Sequence, residues 1–198
     1  MNKKISTVIF DYWWVISEKW ELLSFLKHIE EKYQKELNDD IRLGWKPFWD
    51  SACIWSISSW DFWNYWSKYL EVDSKILLEE AIELDGFRED VYEFAKNLKK
   101  DFRLGIITNM IQNWFETVVT TYKLCEVFDI MVTSYETGSV KPKIEIFEYA
   151  MKKIGVEPEE CVFIDDRETN IIAAKAFWMK VIQFKDLESL KKDFYNIV

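Results

Sequence analysis

Four pairs of adjacent residues carry the chemistry this sequence can do. Phe10-Asp11, Thr108-Asn109 and Asp165-Asp166 each close an apolar run, and Lys141-Pro142 follows a further one. Brought to one place, they would gather three carboxylates, one ammonium and a hydroxyl/amide pair. Crowded carboxylates repel one another unless a cation or a proton intervenes, and hard oxygen ligands suit Mg²⁺. Lys141 and the donors of Thr108 and Asn109 could hold an anionic substrate group beside that ion. A lone Asp after a strand is usually an ordinary turn or cap residue. Four complementary pairs in order point to a site.

For the pairs to meet, the apolar runs must lie side by side. Ile5–Phe10, Leu104–Thr108, Val127–Thr133 and Cys161–Ile164 read as buried strands, with Val181–Phe184 a weaker fifth. Helical periodicity falls between them. Val91, Phe94, Ala95 and Leu98 share one face near 88–100, and Ile144, Phe147, Ala150, Met151 and Ile154 share another near 143–154. Strands alternating with such helices predict an α/β fold, a Rossmann-like parallel sheet flanked by helices. In sheets of this kind ligands bind outside the carboxyl ends of the strands, where the four pairs fall. Residues 17–84 differ: their apolar stripes, such as Phe25, Leu26 and Ile29, are helical, and no strand pattern appears. The expected organisation is an α/β core from 1–16 and 85–198, with a helical insert at 17–84.

Composition narrows the classes of partner. With 26 Lys+Arg against 35 Asp+Glu the net charge is −9, which disfavours nucleic acid and anionic membrane surfaces. No run approaches the roughly 20 apolar residues of a membrane span. Asp11 interrupts the only N-terminal stretch resembling a signal peptide, so secretion is not expected. Cys53, Cys125 and Cys161 are widely spaced and accompanied by one histidine, which argues against disulfides and a zinc site and fits a cytoplasmic chain. Cys161 opens a strand and reads as core. His28, among Lys27, Glu30 and Glu31, reads as solvated.

The stretches VIFDYWWVI, IITN, VKPKIEIF and VFIDDRETNIIAAKAF resemble the four ordered motifs of the haloacid dehalogenase superfamily. The insert after the first motif resembles the small helical cap of its sugar-phosphate and nucleotide phosphatases and of epoxide hydrolase phosphatase domains. The resemblance implies a Mg²⁺-dependent phosphatase acting on a small phosphorylated metabolite, as a monomer or homodimer. Asp11 would be the nucleophile, forming an aspartyl-phosphate that water hydrolyses. Asp11, the backbone carbonyl of Trp13, Asp165 and Asp166 would hold the metal. Thr108 and Asn109 would bind phosphate oxygens, Lys141 would offset charge on nucleophile and phosphate, and Asn170 would orient its loop.

The match breaks at tryptophans. The second Asp of the usual first motif, which protonates the leaving group, is here Trp13, and an indole can neither give nor take that proton. Trp14, Trp55 and Trp178 stand where relatives commonly carry glycine, in a chain with 11 Trp and only 5 Gly. Trp178 is expected to be strained at the end of its helix. Two alternatives follow. A 2-haloacid dehalogenase would use the same Asp11 without metal, although the paired Asp165-Asp166 argues against it. A silent ligand-binding or interaction protein would keep the fold without turnover. The aromatic residues of 45–69 read as a small cap core, with Phe62, Trp66 and Tyr69 at helical spacing, or otherwise as a stacking platform.

Overall fold

The computed structural model describes residues 4–18 and 22–198. In chain order the elements are β1 (Thr7–Phe10), α1 (Leu22–Tyr33), α2 (Asp39–Gly44), α3 (Lys46–Cys53), α4 (Ser59–Leu70), α5 (Ser74–Asp85) and α6 (Glu89–Leu98). They continue with β2 (Arg103–Thr108), α7 (Gln112–Thr121), β3 (Ile130–Thr133), α8 (Ser134–Thr137) and α9 (Ile144–Ile154). The chain closes with β4 (Cys161–Asp165), α10 (Glu168–Ala176), β5 (Lys180–Gln183) and α11 (Leu187–Ile197).

The five strands form one parallel sheet in the order β3-β2-β1-β4-β5. Side chains alternate between its faces. Ile9, Ile107, Val132 and Phe163 meet Ile146, Phe147, Ala150 and Met151 of α9 on one side. Val8, Phe10, Leu104, Ile106, Val162 and Ile164 point to the other, against Val91 and Ala95 of α6 and Phe194 of α11. Covering both faces explains why the strands are apolar throughout. Register does the positioning. Phe10 pairs with Ile106 and with Ile164, so Asp11 emerges level with Asp165, and its N–H still donates to the Ile164 carbonyl at 2.8 Å.

The strand order reverses at β1, and α1 to α5 are inserted between β1 and β2. Helix α4 starts with a capping box in which Ser58 and Asp61 satisfy each other's ends. Its apolar face buries Phe62, Trp63, Trp66 and Leu70, at roughly 1.5–3 kcal/mol for each large side chain removed from water. Phe25 of α1 meets Trp63 and Trp66 edge-on, with ring centroids 6.2 and 6.1 Å apart. Tyr69 is half-buried beside them. Among the described residues no helix is long and apolar enough to cross a membrane.

Two expectations need adjusting. The third strand begins at Ile130 rather than Val127. Leu124–Glu126 form a 3₁₀ turn, while Val127 and Phe128 are buried outside the sheet, Phe128 lying edge-on to Phe10 at 5.7 Å. An apolar run marks burial whether or not it forms a ladder. His28 is not simply solvated: its Nε2 lies 3.0 Å from Glu80 Oε2, in a cluster where Glu80 also accepts from Lys32 and Tyr33.

Candidate functional site

Beyond the carboxyl ends of β1, β2 and β4, the loops bring the four residue pairs together. Lys141 is buried, and its Nζ lies 2.8 Å from Asp11 Oδ1 and 2.7 Å from Asp165 Oδ2. Asn109 fixes the Lys141 backbone from both sides. Its Oδ1 accepts the Lys141 N–H at 2.7 Å, and its Nδ2 donates to the Lys141 carbonyl at 2.9 Å. Both ends of that amide are therefore engaged by the lysine. The loop after β2 is held in turn by Ser134, whose Oγ accepts the Met110 N–H at 3.1 Å.

Asp165 is the most thoroughly held of the acids. Its Oδ1 accepts the Arg167 N–H and Asn170 Nδ2, each at 2.9 Å, and its Oδ2 accepts from Lys141 and again from Asn170. Asn170, on the first turns of α10, thus orients this carboxylate. Asp166 differs, since its buried Oδ1 has no hydrogen-bond partner among the described residues. Thr108 Oγ1 is likewise buried and unpartnered.

Oxygens of Asp11, Asp165 and Asp166 lie within 4.8 Å of one another. Burial pushes the Asp11 carboxyl up to about 8, with Lys141 pulling it down and Asp165 adding to the rise. Burial and the neighbouring Asp165 raise Asp166 as well. For Lys141, burial opposes its charge, but Asp11 and Asp165 outweigh it and hold the ammonium above its ordinary pKa. One lysine against three carboxylates leaves the cluster short of positive charge. The hard oxygen donors and the orphaned Asp166 oxygen fit a small divalent cation.

The helices inserted after β1 supply the opposite wall. A cavity of about 640 Å³ opens over Asp11, Lys141 and Asp166, with Trp13, Trp45 and Trp49 among its lining residues. Trp13 does not cover Asp11. Its Nε1 donates to the Asn109 carbonyl at 2.8 Å, and its ring meets Trp114 edge-on at 5.2 Å and Trp49 at 6.4 Å. Cys53 also borders the cavity, but burial pushes its thiol up to about 12, as it does that of Cys161, so neither is a ready nucleophile. Trp45 and Trp49 were not separable as cavity residues by sequence, because their helical spacing is equally that of a core. Ser134 had a fainter signal, its place directly after a strand. Tyr12 and Asp85, both buried and facing each other with no hydrogen-bond partner of good geometry for their side-chain oxygens among the described residues, gave none.

A parallel sheet reversing at β1, with a buried carboxylate, a buried lysine and an acidic pair at its strand ends, is the arrangement to compare with known families. Residues 55–184 match the family model of the haloacid dehalogenase-like hydrolases, and the chain belongs to that family. The chain is similar to flavin mononucleotide hydrolase 1 of Arabidopsis thaliana, with 32% identity over 58% of this chain and 45% of the relative. It is also similar to the pyrophosphatase PpaX of Bacillus cereus strain AH820, with 33% identity over 44% of this chain and 41% of the relative. The match thus spans less than half the length of these relatives. In fold it resembles a haloacid dehalogenase family enzyme of Bacteroides thetaiotaomicron crystallised with magnesium and inorganic phosphate. The TM-score is 0.77 at 18% identity, over 94% of this chain and 98% of the other.

Proposed function

We propose that this chain hydrolyses a small phosphomonoester through an aspartyl-phosphate formed on Asp11, with Mg²⁺ as cofactor. The observation that carries the reading is the buried Asp11–Lys141–Asp165 ion cluster beside an unpartnered Asp166 oxygen. Relatives named as a flavin mononucleotide hydrolase, a pyrophosphatase and a phosphoglycolate phosphatase, and a structural neighbour crystallised with magnesium, support it. In the same reading residues 1–16 and 85–198 are the catalytic core, and 17–84 is a cap that closes the cavity.

Asp11, Asp166, Asp165 and the carbonyl of Trp13 would hold the metal. When bound, Mg²⁺ supplies positive charge that offsets the phosphate and keeps Asp11 ionised. Lys141 holds the Asp11 carboxylate in place and adds charge beside the phosphate. The unpartnered Thr108 hydroxyl is a donor for a phosphate oxygen, and Asn109 positions Lys141 through its backbone. An Asp11 oxygen attacks phosphorus, the ester P–O bond breaks, and the leaving alkoxide takes a proton from water in the cavity. A second water then attacks the phosphorus. The Asp11–phosphorus bond breaks, releasing inorganic phosphate and restoring the carboxylate. Trp13 takes no part in proton transfer; it walls the leaving-group side.

The test is phosphate release from p-nitrophenyl phosphate with and without Mg²⁺, by this chain and its Asp11→Asn variant. Mg²⁺-dependent turnover lost in the variant is expected. Equal background from both folded proteins would remove the hydrolase reading and leave a silent binder.

A further inference from the structure

Six described residues other than glycine have positive φ, and three of them are tryptophans: Trp14 at 60°, Trp55 at 60° and Trp178 at 68°. The chain has 11 tryptophans, whereas every other non-glycine type together supplies only Gln34, Glu71 and Lys123. Those three are long, polar chains at exposed turns. A bulky aromatic in the left-handed region is a true outlier, because Cβ crowds the backbone there.

Two of the three indoles lie largely in solvent, although Trp55 also meets the Tyr135 ring at 6.0 Å. Trp55 is 53% exposed and Trp178 is 73% exposed. Trp178 lies just past the end of α10, where the comparable positions after α8 and α9 hold Gly138 at φ 67° and Gly155 at φ 76°. The same backbone task is done by glycine in one place and by tryptophan in another. The buried tryptophans behave differently. Trp63, Trp66 and Trp114 are fully buried, and none of them has positive φ. Trp13 sides with these, since its φ is not positive and its ring is packed. The excess of one residue type matches a deficit in the other: glycine is 5 of 198 residues, against a usual share of about 7%.

We infer that positions 14, 55 and 178 carry glycine in the protein its own cell makes, the codon translated there as tryptophan being a glycine codon in that cell. The codon UGA fits this role, because it terminates standard translation and variant codes assign it to tryptophan or to glycine. Two populations of tryptophan then follow naturally: those with ordinary backbone, encoded by UGG, and the left-handed ones, encoded by UGA. Position 14 borders the cavity over Asp11, so glycine there also removes an indole from the mouth of the candidate site.

Two measurements test this. The first reads the codons of the gene and the masses of peptides from the protein purified from its source. UGA at 14, 55 and 178, UGG at 63, 66 and 114, and peptides lighter by an indole-bearing side chain at the first three positions are expected. UGG at the three left-handed positions, or peptides retaining tryptophan there, overturns the inference. The second measures melting temperature in the recombinant chain as written. Trp55→Gly and Trp178→Gly should each raise it by about 2–8 °C through relief of the left-handed strain, while Trp63→Gly should lower it. A fall for both Trp55→Gly and Trp178→Gly would show that the backbone does not ask for glycine.

Discussion

Asp85 offers a sharp test of the packing between the inserted helices and the sheet. It closes α5, is fully buried, and neither carboxylate oxygen has a partner of good hydrogen-bond geometry among the described residues. Tyr12 and Ser17 face it with hydroxyls, and the Tyr12 hydroxyl is itself unpartnered. Burial raises its pKa from 3.8 to about 8, while Ser17 and Tyr12 pull weakly the other way. The folded state therefore holds a proton that the unfolded chain releases. Stability from this group is full below pH 3.8, falls as pH rises, and is gone above about 8. At 1.36 kcal/mol for each pH unit, the whole window amounts to about 6 kcal/mol, and the step from pH 5 to pH 7 to about 3 kcal/mol. Asparagine copies the protonated carboxyl and does not titrate. Urea unfolding of the chain and its Asp85→Asn variant across this range should give curves that diverge as pH rises, the variant being the more stable at pH 8. Other buried acids, Asp11 among them, are common to both proteins and cancel in the difference. A constant gap from pH 5 to pH 8 would refute the idea that burial keeps Asp85 protonated.

Three further outcomes follow from the site and its walls. Lys141→Met leaves Asp11 and Asp165 buried without their cation, so phosphate release should fall by about 100-fold or more and stability by about 3–5 kcal/mol, read by turnover and by urea midpoint. Retained turnover would remove Lys141 from the site. Trp63→Phe deprives the buried Asn113 Oδ1 of an indole donor at 3.1 Å and should cost about 1–3 kcal/mol in chemical denaturation. An unchanged midpoint would mean that this bond between α4 and α7 contributes nothing net. Trp13→Gly removes a ring that is turned away from Asp11, so turnover of p-nitrophenyl phosphate, whose leaving group needs no proton, should change little; a large rise would show that Trp13 obstructs the site.

The sheet was legible because its signal is local. A strand buried on both faces must be apolar along its length, and the residue that follows it lies at the sheet's carboxyl edge whatever the rest of the chain does. Asp11, Thr108 and Asp165 could therefore be placed from the sequence, and register brings Asp11 level with Asp165. Val127 and Phe128 resemble the start of a strand because burial without a ladder gives the same apolar run. The Asp85–Tyr12 contact was invisible for a different reason. It joins the end of α5 to the residue after Asp11, across more than 70 positions, and depends on how the inserted helices seat on the sheet.

Trp13 shows how far residue type alone can carry a mechanism. Its chemistry was readable at once, since an indole cannot protonate a leaving group. Its placement was not. A ring beside Asp11 could have sealed the nucleophile, and the sequence could not distinguish that from a ring turned aside. In the structure the indole N–H is satisfied by the Asn109 carbonyl, and the ring lies against Trp49 and Trp114. Asp11 and Asp166 consequently still border the open cavity. Under the proposed mechanism the loss is thus specific to proton transfer at the leaving group, and Trp13 leaves the approach to Asp11 open. Esters with good leaving groups, which need no protonation, should be turned over far better than alkyl phosphates. A chain that cleaved both equally well would require an acid that neither Trp13 nor the described cavity walls have been assigned.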